Sequence, residues 1–294
     1  MPITLTVDVF SGRPNPTVVV SGPEEEELLE RLRPEGKVDA EEVAHLAEPR
    51  LGYRGVVVDI EGKRPRGVPP SLRVVNGVAL TGKKPFRVAD DGFEDFICGS
   101  EGPLRPIHGR EEELPRLLRE ELHRAFEEMV DWERIREKLK PRVEPGCQCA
   151  PLYEPAWWNV PAIQPYNNCY NYGTNIRTNT FAQPGKAAGA QYGSLSCSAV
   201  RTAALADDLI DAPKANNKCP EKGHLVAMVI WPEVDYHWYR KGETGYWSHK
   251  PGSTAVTDRD SSGALIPDPR TANRGPYTDF CTFMIVMHGH VRII

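Results

Sequence analysis

Cys169, in the run Asn167-Asn168-Cys169-Tyr170-Asn171-Tyr172, is the residue whose neighbours best suit a sulfur nucleophile. Asparagine is a strong helix N-cap, so Cys169 is expected in the first turn of a helix. There the unpaired backbone N–H groups and the helix dipole favour thiolate over thiol, the form in which sulfur attacks a carbonyl. Gln164, upstream in the same segment, could offer a side-chain N–H to an oxyanion beside the sulfur. The plainer reading is a buried cysteine acting as a small hydrophobe.

A thiol nucleophile needs a base to take its proton and return it to the leaving group, and imidazole suits neutral pH. His237, in Asp235-Tyr236-His237-Trp238-Tyr239-Arg240, is the first candidate, with His224 and His249 as alternative bases. On a strand, Tyr236 and Trp238 face away from His237, so the aromatics can pack while the imidazole faces a cleft. Asp260 is the preferred partner to orient the imidazole, ahead of Asp258 and Asp268.

The order of these parts resembles the papain-like cysteine hydrolase superfamily. A cysteine opens a helix with Gln upstream, a further helix follows over 194–209, and a histidine sits in an antiparallel sheet. The resemblance covers about residues 164–290 and is one of order. The Gln-to-Cys spacing is one residue shorter than in papain-type enzymes, and no Asn-Ser-Trp follows the histidine. It implies acyl transfer from an amide or peptide bond through a Cys169 thioester, by a cysteine hydrolase, peptidase or acyl transferase acting on a peptide or small amide substrate; no cofactor and no metal are expected. The Asp-Tyr-His-Trp-Tyr-Arg and Trp-Ser-His-Lys-Pro-Gly segments also resemble uncharacterised bacterial proteins.

Two other readings stay open. Cys147-Gln148-Cys149 could lend soft ligands to a zinc site completed by Cys197, Cys219 or His224, which would make a metal-dependent hydrolase, although the ligand spacing is poor. An aromatic cleft could instead hold a ligand without turnover, as a non-catalytic ligand-binding or toxin-associated module. With Cys169 set aside, the remaining six cysteines could form three disulfides in an exported protein.

The elements that must position these residues fall in two halves. Six of the seven cysteines, nine of the ten tyrosines and five of the six tryptophans follow residue 146. Residues 1–145 are therefore read as a small N-terminal α+β accessory domain, and 146–294 as the Cys/His domain of helices and an antiparallel sheet. The fold class is α+β. In the first half, Ile3, Leu5, Val7 and Val9 alternate with polar residues as in a half-buried strand, and Thr17–Val20 reads as a second. Between them, Phe10-Ser11-Gly12-Arg13-Pro14-Asn15-Pro16 is turn chemistry, most simply a rigid hairpin turn and otherwise a binding loop. Helices are expected from Pro23, over 40–47 and over 111–140, and strands over 55–60 and 72–80. In the second half, strands are expected over 225–230, 236–240, 245–249 and 280–287.

The bulk numbers narrow the partners. The 294 residues carry a formal charge of -5, against nucleic acid as the main partner. No run approaches the roughly 20 apolar residues of a membrane span. The amino terminus enters a strand pattern directly, without a basic and then apolar leader, which reads as a cytoplasmic address with reduced thiols. Oligomeric state is not legible.

Overall fold

A computed structural model describes residues 2–82, 84–90, 92–98, 102–104, 120–121 and 145–294. The helix expected over 111–140 lies almost wholly outside the described residues. The α+β class holds, with two antiparallel sheets and short helices.

The described residues divide between two compact units. One takes those within Met1–Val9, Asn15–Glu48 and Tyr53–Met129; the other takes Phe10–Pro14, Pro49–Gly52 and those within Val130–Ile294.

In the first unit, seven strands run β1 (Ile3–Val7), β2 (Thr17–Val20), β3 (Pro34–Gly36), β4 (Val56–Ile60), β5 (Ser71–Val75), β6 (Val78–Leu80) and β7 (Phe86–Val88). Their order in the sheet is β2-β1-β4-β5-β6-β7-β3, with antiparallel pairing throughout. The alternation in β1 buries Ile3, Leu5 and Val7, as a period of two requires when one face meets the core. The span expected as one strand over 72–80 is a hairpin, because Asn76 and Gly77 both take positive φ and turn the chain. Among the described residues, α1 (Pro23–Arg31), α2 (Ala40–Leu46) and α3 (Phe93–Cys98) accompany the sheet. Buried Asp8 is held by Arg54 at 2.6 Å and by Arg73. Burial alone would raise its pKa, but the two guanidiniums outweigh it and hold the carboxyl far below the usual range.

In the second unit, the sheet order is β11-β10-β9-β12-β8, from β8 (Ile210–Asp211), β9 (His224–Trp231), β10 (Asp235–Lys241), β11 (Trp247–His249) and β12 (Asp279–Val286). All described pairings are antiparallel. The central strand β9 is buried almost end to end, so it reads as a continuous apolar run. Its alternate side chains feed two cores. Val226, Met228 and Ile230 pack with Cys169, Tyr236, Trp238 and Met284, while Leu225, Ala227 and Val229 pack with Tyr239, Trp247, Tyr277 and Phe283.

Among the described residues, the helices of this unit are α4 (Pro155–Trp158), α5 (Cys169–Thr174) and α6 (Cys197–Ala206), with a 3-10 turn at Gln164–Tyr166. Two disulfides close it, Cys147–Cys219 and Cys197–Cys281, the second joining α6 to β12. Their sulfurs are thus bonded to one another, which removes Cys147, Cys197 and Cys219 from the zinc reading. Of the three disulfides that six cysteines allow, two form, and Cys149 stands exposed outside them. Among the described residues, no group of three His, Cys, Asp or Glu side chains is placed to hold a metal ion. Among them too, no helix is long and apolar enough to cross a membrane.

Candidate functional site

The local fold around Cys169 follows from its asparagines. Asn168 is the N-cap of α5 and accepts hydrogen bonds from the Tyr170 and Asn171 N–H groups at 3.0 and 3.1 Å. Asn171 reaches back to accept the Asn168 N–H at 3.1 Å, which completes a capping box. Cys169 therefore stands in the first turn, as its neighbours predict.

The environment of its sulfur is not the one expected. Cys169 is fully buried, and its thiol contacts the Tyr236 carbonyl of β10 at 3.9 Å. Burial, and after it the nearby Asp235 carboxylate, push its pKa well above the ordinary thiol value. A helix N-terminus favours thiolate, but withdrawal from water opposes the charge and prevails here. The expectation of a thiolate is corrected on that ground.

Gln164 does not aim its amide at the sulfur. Its Nε2 donates to the Ser253 carbonyl at 3.3 Å, and its own backbone carbonyl accepts from the buried Lys250 ammonium at 2.7 Å. Gln164 thus pins the 250–254 segment.

His237 and His249 come together. β10 and β11 pair with Tyr239 opposite His249, and the rings of His237 and His249 meet with Nε2 of the first 2.8 Å from Nδ1 of the second. Nε2 of His249 lies 2.8 Å from the Arg259 carbonyl, which can only accept. That fixes the direction of the chain: His249 donates to Arg259, and His237 donates to His249. Both imidazoles are fully buried, and His237 stacks edge-on against Tyr239 with ring centroids 4.8 Å apart.

Asp260 organises its own loop. Its carboxylate accepts from the Ser262 hydroxyl and N–H and from the Ala264 and Asn273 N–H groups, at 2.5 to 3.1 Å. His224 is buried at the start of β9, where Nε2 donates to the Gly173 carbonyl at 2.8 Å and Nδ1 lies 3.3 Å from Nε2 of His288. Burial drives its pKa down to about 3, so the ring is neutral at ordinary pH.

Sequence reasoning missed a fully buried carboxylate with several hydrogen-bond partners. Asp235, at the start of β10, is fully buried and accepts from the Ser11, Gly12 and Arg13 N–H groups and from the Tyr277 hydroxyl. Burial raises its pKa, against the pull of those hydrogen bonds. The segment Phe10–Pro14, read above most simply as a hairpin turn, is the partner that Asp235 holds. The signal in the sequence was one acidic residue directly before an aromatic strand.

Other buried charges in the unit end on carbonyl oxygens. Arg240 donates to the Tyr172, Leu152 and Asn175 oxygens at 3.2, 3.0 and 2.8 Å and lies over the Tyr172 ring. Lys241 donates to the Asn217 backbone and side-chain oxygens at 2.5 and 2.9 Å. Such an arrangement fixes loops to the sheet and satisfies the cations, which burial would otherwise make costly.

No protein-family model matches the chain, and no solved structure matches it. Among curated proteins, the chain is 51% identical over 134 residues to insoluble matrix shell protein 1 of Ruditapes philippinarum. The alignment covers 45% of this chain and 87% of that protein. This finding overturns two expectations. An insoluble matrix shell protein so similar to this chain points away from the thiol-dependent hydrolase or peptidase acting through a Cys169 thioester with His237 as base. It also conflicts with a cytoplasmic address, a conflict to which the two disulfides add, since such bonds persist in oxidising compartments.

Proposed function

The chain belongs to the family of insoluble matrix shell protein 1, and from that membership we propose that it is a structural constituent of an insoluble extracellular matrix. The observation that carries this reading is the identity of 51% across 87% of the relative's length. Three features of the second unit support it. Two disulfides of long sequence separation, 72 and 84 residues, suit a protein that must stay folded outside the cell. The thiol and the imidazoles with the right chemistry for turnover are fully buried. The buried cations and carboxylates are spent on holding loops to the sheet.

The succession of Cys169 helix, second helix and antiparallel sheet supports a further part of the proposal: the second unit is a papain-like scaffold put to structural use. A fold commonly hosts members without the chemistry of their relatives.

Fractionation of the producing cells and their surroundings tests the function. An antibody to the chain is expected to find it in extracellular material that resists salt and non-ionic detergent. Recovery of the chain in the cytosolic supernatant alone, with its cysteines reduced, would overturn the proposal.

A further inference from the structure

The polar crevice beside α5 and β10 is built to hold a peptide backbone, and Phe10–Pro14 sits in it. Oδ2 of Asp235 accepts the Ser11 N–H at 2.6 Å and the Gly12 N–H at 3.1 Å, while Oδ1 takes the Arg13 N–H at 3.1 Å. Tyr277 holds the same carboxylate from the other side, its hydroxyl donating to Oδ2 at 2.6 Å. The carbonyls of the segment are read as closely. The Gly12 oxygen accepts from Asn168 Nδ2, Gln183 Nε2 and the Tyr236 hydroxyl at 2.7, 2.8 and 2.9 Å, and the Ser11 oxygen from the Cys169 N–H at 3.5 Å.

Three consecutive N–H groups and two carbonyls are therefore bound by side chains and backbone from a helix N-cap, a strand start and two loops. Asp235, Asn168 and Tyr236 are wholly buried, so these bonds form away from competing water. The crevice also selects sequence. A Cβ on Gly12 would overlap the ring of Tyr236, which is fully buried and has no room to yield. Phe10 packs edge-on near Trp231, and the Arg13 guanidinium donates to the Val234 carbonyl at 2.9 Å. The features this site reads are the ring of Phe10, the missing side chain of Gly12 and the guanidinium of Arg13.

We infer that this crevice is a peptide-recognition site that takes the Phe10–Pro14 segment of a second copy of the chain in place of its own. The contacts named above are to atoms of residues 10–13, which a second copy carries identically. Exchange of one element between identical chains is a low-cost route to assembly, and a head-to-tail exchange that does not close propagates. The inference deepens the matrix reading by naming the partner, and it is tested with purified protein in solution. Its failure there leaves the extracellular partitioning of the chain unaffected.

Two full-length variants make complementary halves. Gly12→Ala spoils the segment and keeps the crevice, and Asp235→Asn spoils the crevice and keeps the segment. Each is first checked for both disulfides and a wild-type circular-dichroism spectrum. A labelled peptide with the sequence of residues 9–16 is expected to bind Gly12→Ala one to one, at least tenfold more tightly than wild type, whose crevice is self-occupied. The same peptide with Ala for Gly is expected not to bind. Mixing the two variants is expected to give a mixed dimer by light scattering, while each alone stays a monomer.

Absence of peptide binding to a folded Gly12→Ala chain would overturn the site, and peptide binding without a mixed dimer would overturn exchange between copies. Should Gly12→Ala fail to fold, the wild-type chain carries the test. Excess peptide is then expected to speed hydrogen exchange of the Ser11, Gly12 and Arg13 amides at least tenfold, and unchanged exchange would overturn the inference.

Discussion

The Cys169 thiol meets the Tyr236 carbonyl at 3.9 Å, in a cluster shared with Trp238 and Met228. Cys149, in contrast, is exposed and outside both disulfides. Alkylation of the folded protein with iodoacetamide at pH 8 is therefore expected to modify Cys149 at least a hundredfold faster than Cys169, because burial keeps the second sulfur protonated and out of reach. Peptide mass mapping against time measures both rates. Rapid labelling of Cys169 in the native protein would contradict its sealed environment.

The His237–His249–Arg259 chain makes a directional prediction. His249→Ala removes the acceptor for the His237 Nε2–H and the donor to the Arg259 carbonyl. Loss of two hydrogen bonds and of a buried ring is expected to cost about 2–4 kcal/mol. His249→Gln, which offers both an acceptor and a donor, is expected to recover part of that cost. Urea unfolding with unchanged slope reads both values.

His224 predicts a pH dependence with a definite sign. Its pKa is about 3 in the folded protein against an ordinary 6.5, because burial, and then the charges of Arg240 and His288, disfavour the cation. Below pH 6.5 the unfolded chain takes up a proton that the folded chain refuses. Stability from this group is thus complete above 6.5 and lost as pH falls toward 3, with a slope of about 1.4 kcal/mol per pH unit. His224→Gln, which can still donate to the Gly173 carbonyl, is expected to flatten the profile between pH 6 and 4.5. That window lies above the range in which Asp8 loses its own contribution, below the ordinary 3.8. Identical slopes for variant and wild type would exclude His224 as the source.

Reduction should be costly. The disulfides close loops of 72 and 84 residues. By loop-closure entropy, each is expected to contribute about 4–5 kcal/mol through restriction of the unfolded chain. Calorimetry with and without reductant should show a large fall in the melting temperature of the second unit. Cys197→Ser with Cys281→Ser should lower stability on its own, whereas Cys149→Ser should leave the melting temperature within a degree or two.

Much of the framework was legible because it rests on local periodicity and capping. The Ile3–Val9 alternation, the Asn168 cap and the apolar run of β9 each express a rule acting within a few residues. The hairpin at Asn76-Gly77 carried its own signal, two residues tolerant of positive φ, within a span otherwise readable as one strand. The site was legible only in part. Cys169 falls where its neighbours place it, but the state of its sulfur depends on burial in a cluster with Met228, Tyr236 and Trp238, residues distant in the sequence. The Asp235 site was out of reach for the same reason, since its ligand lies more than two hundred residues away along the chain. Disulfide pairing likewise depends on which sulfurs the fold brings together.

The sheet of the second unit ends on a two-residue strand, β8, and a three-residue strand, β11. The outer side of β11 is further occupied by isolated bridges from Ile266 to Trp247 and from Thr257 to His249. Neither margin offers the long open row of N–H and C=O groups that templates amyloid-type strand addition. On the matrix role proposed above, assembly would then proceed without conversion of this unit to cross-β fibrils. Material drawn from the matrix should yield native, disulfide-intact domains under mild dissociation, and should leave amyloid dyes dark.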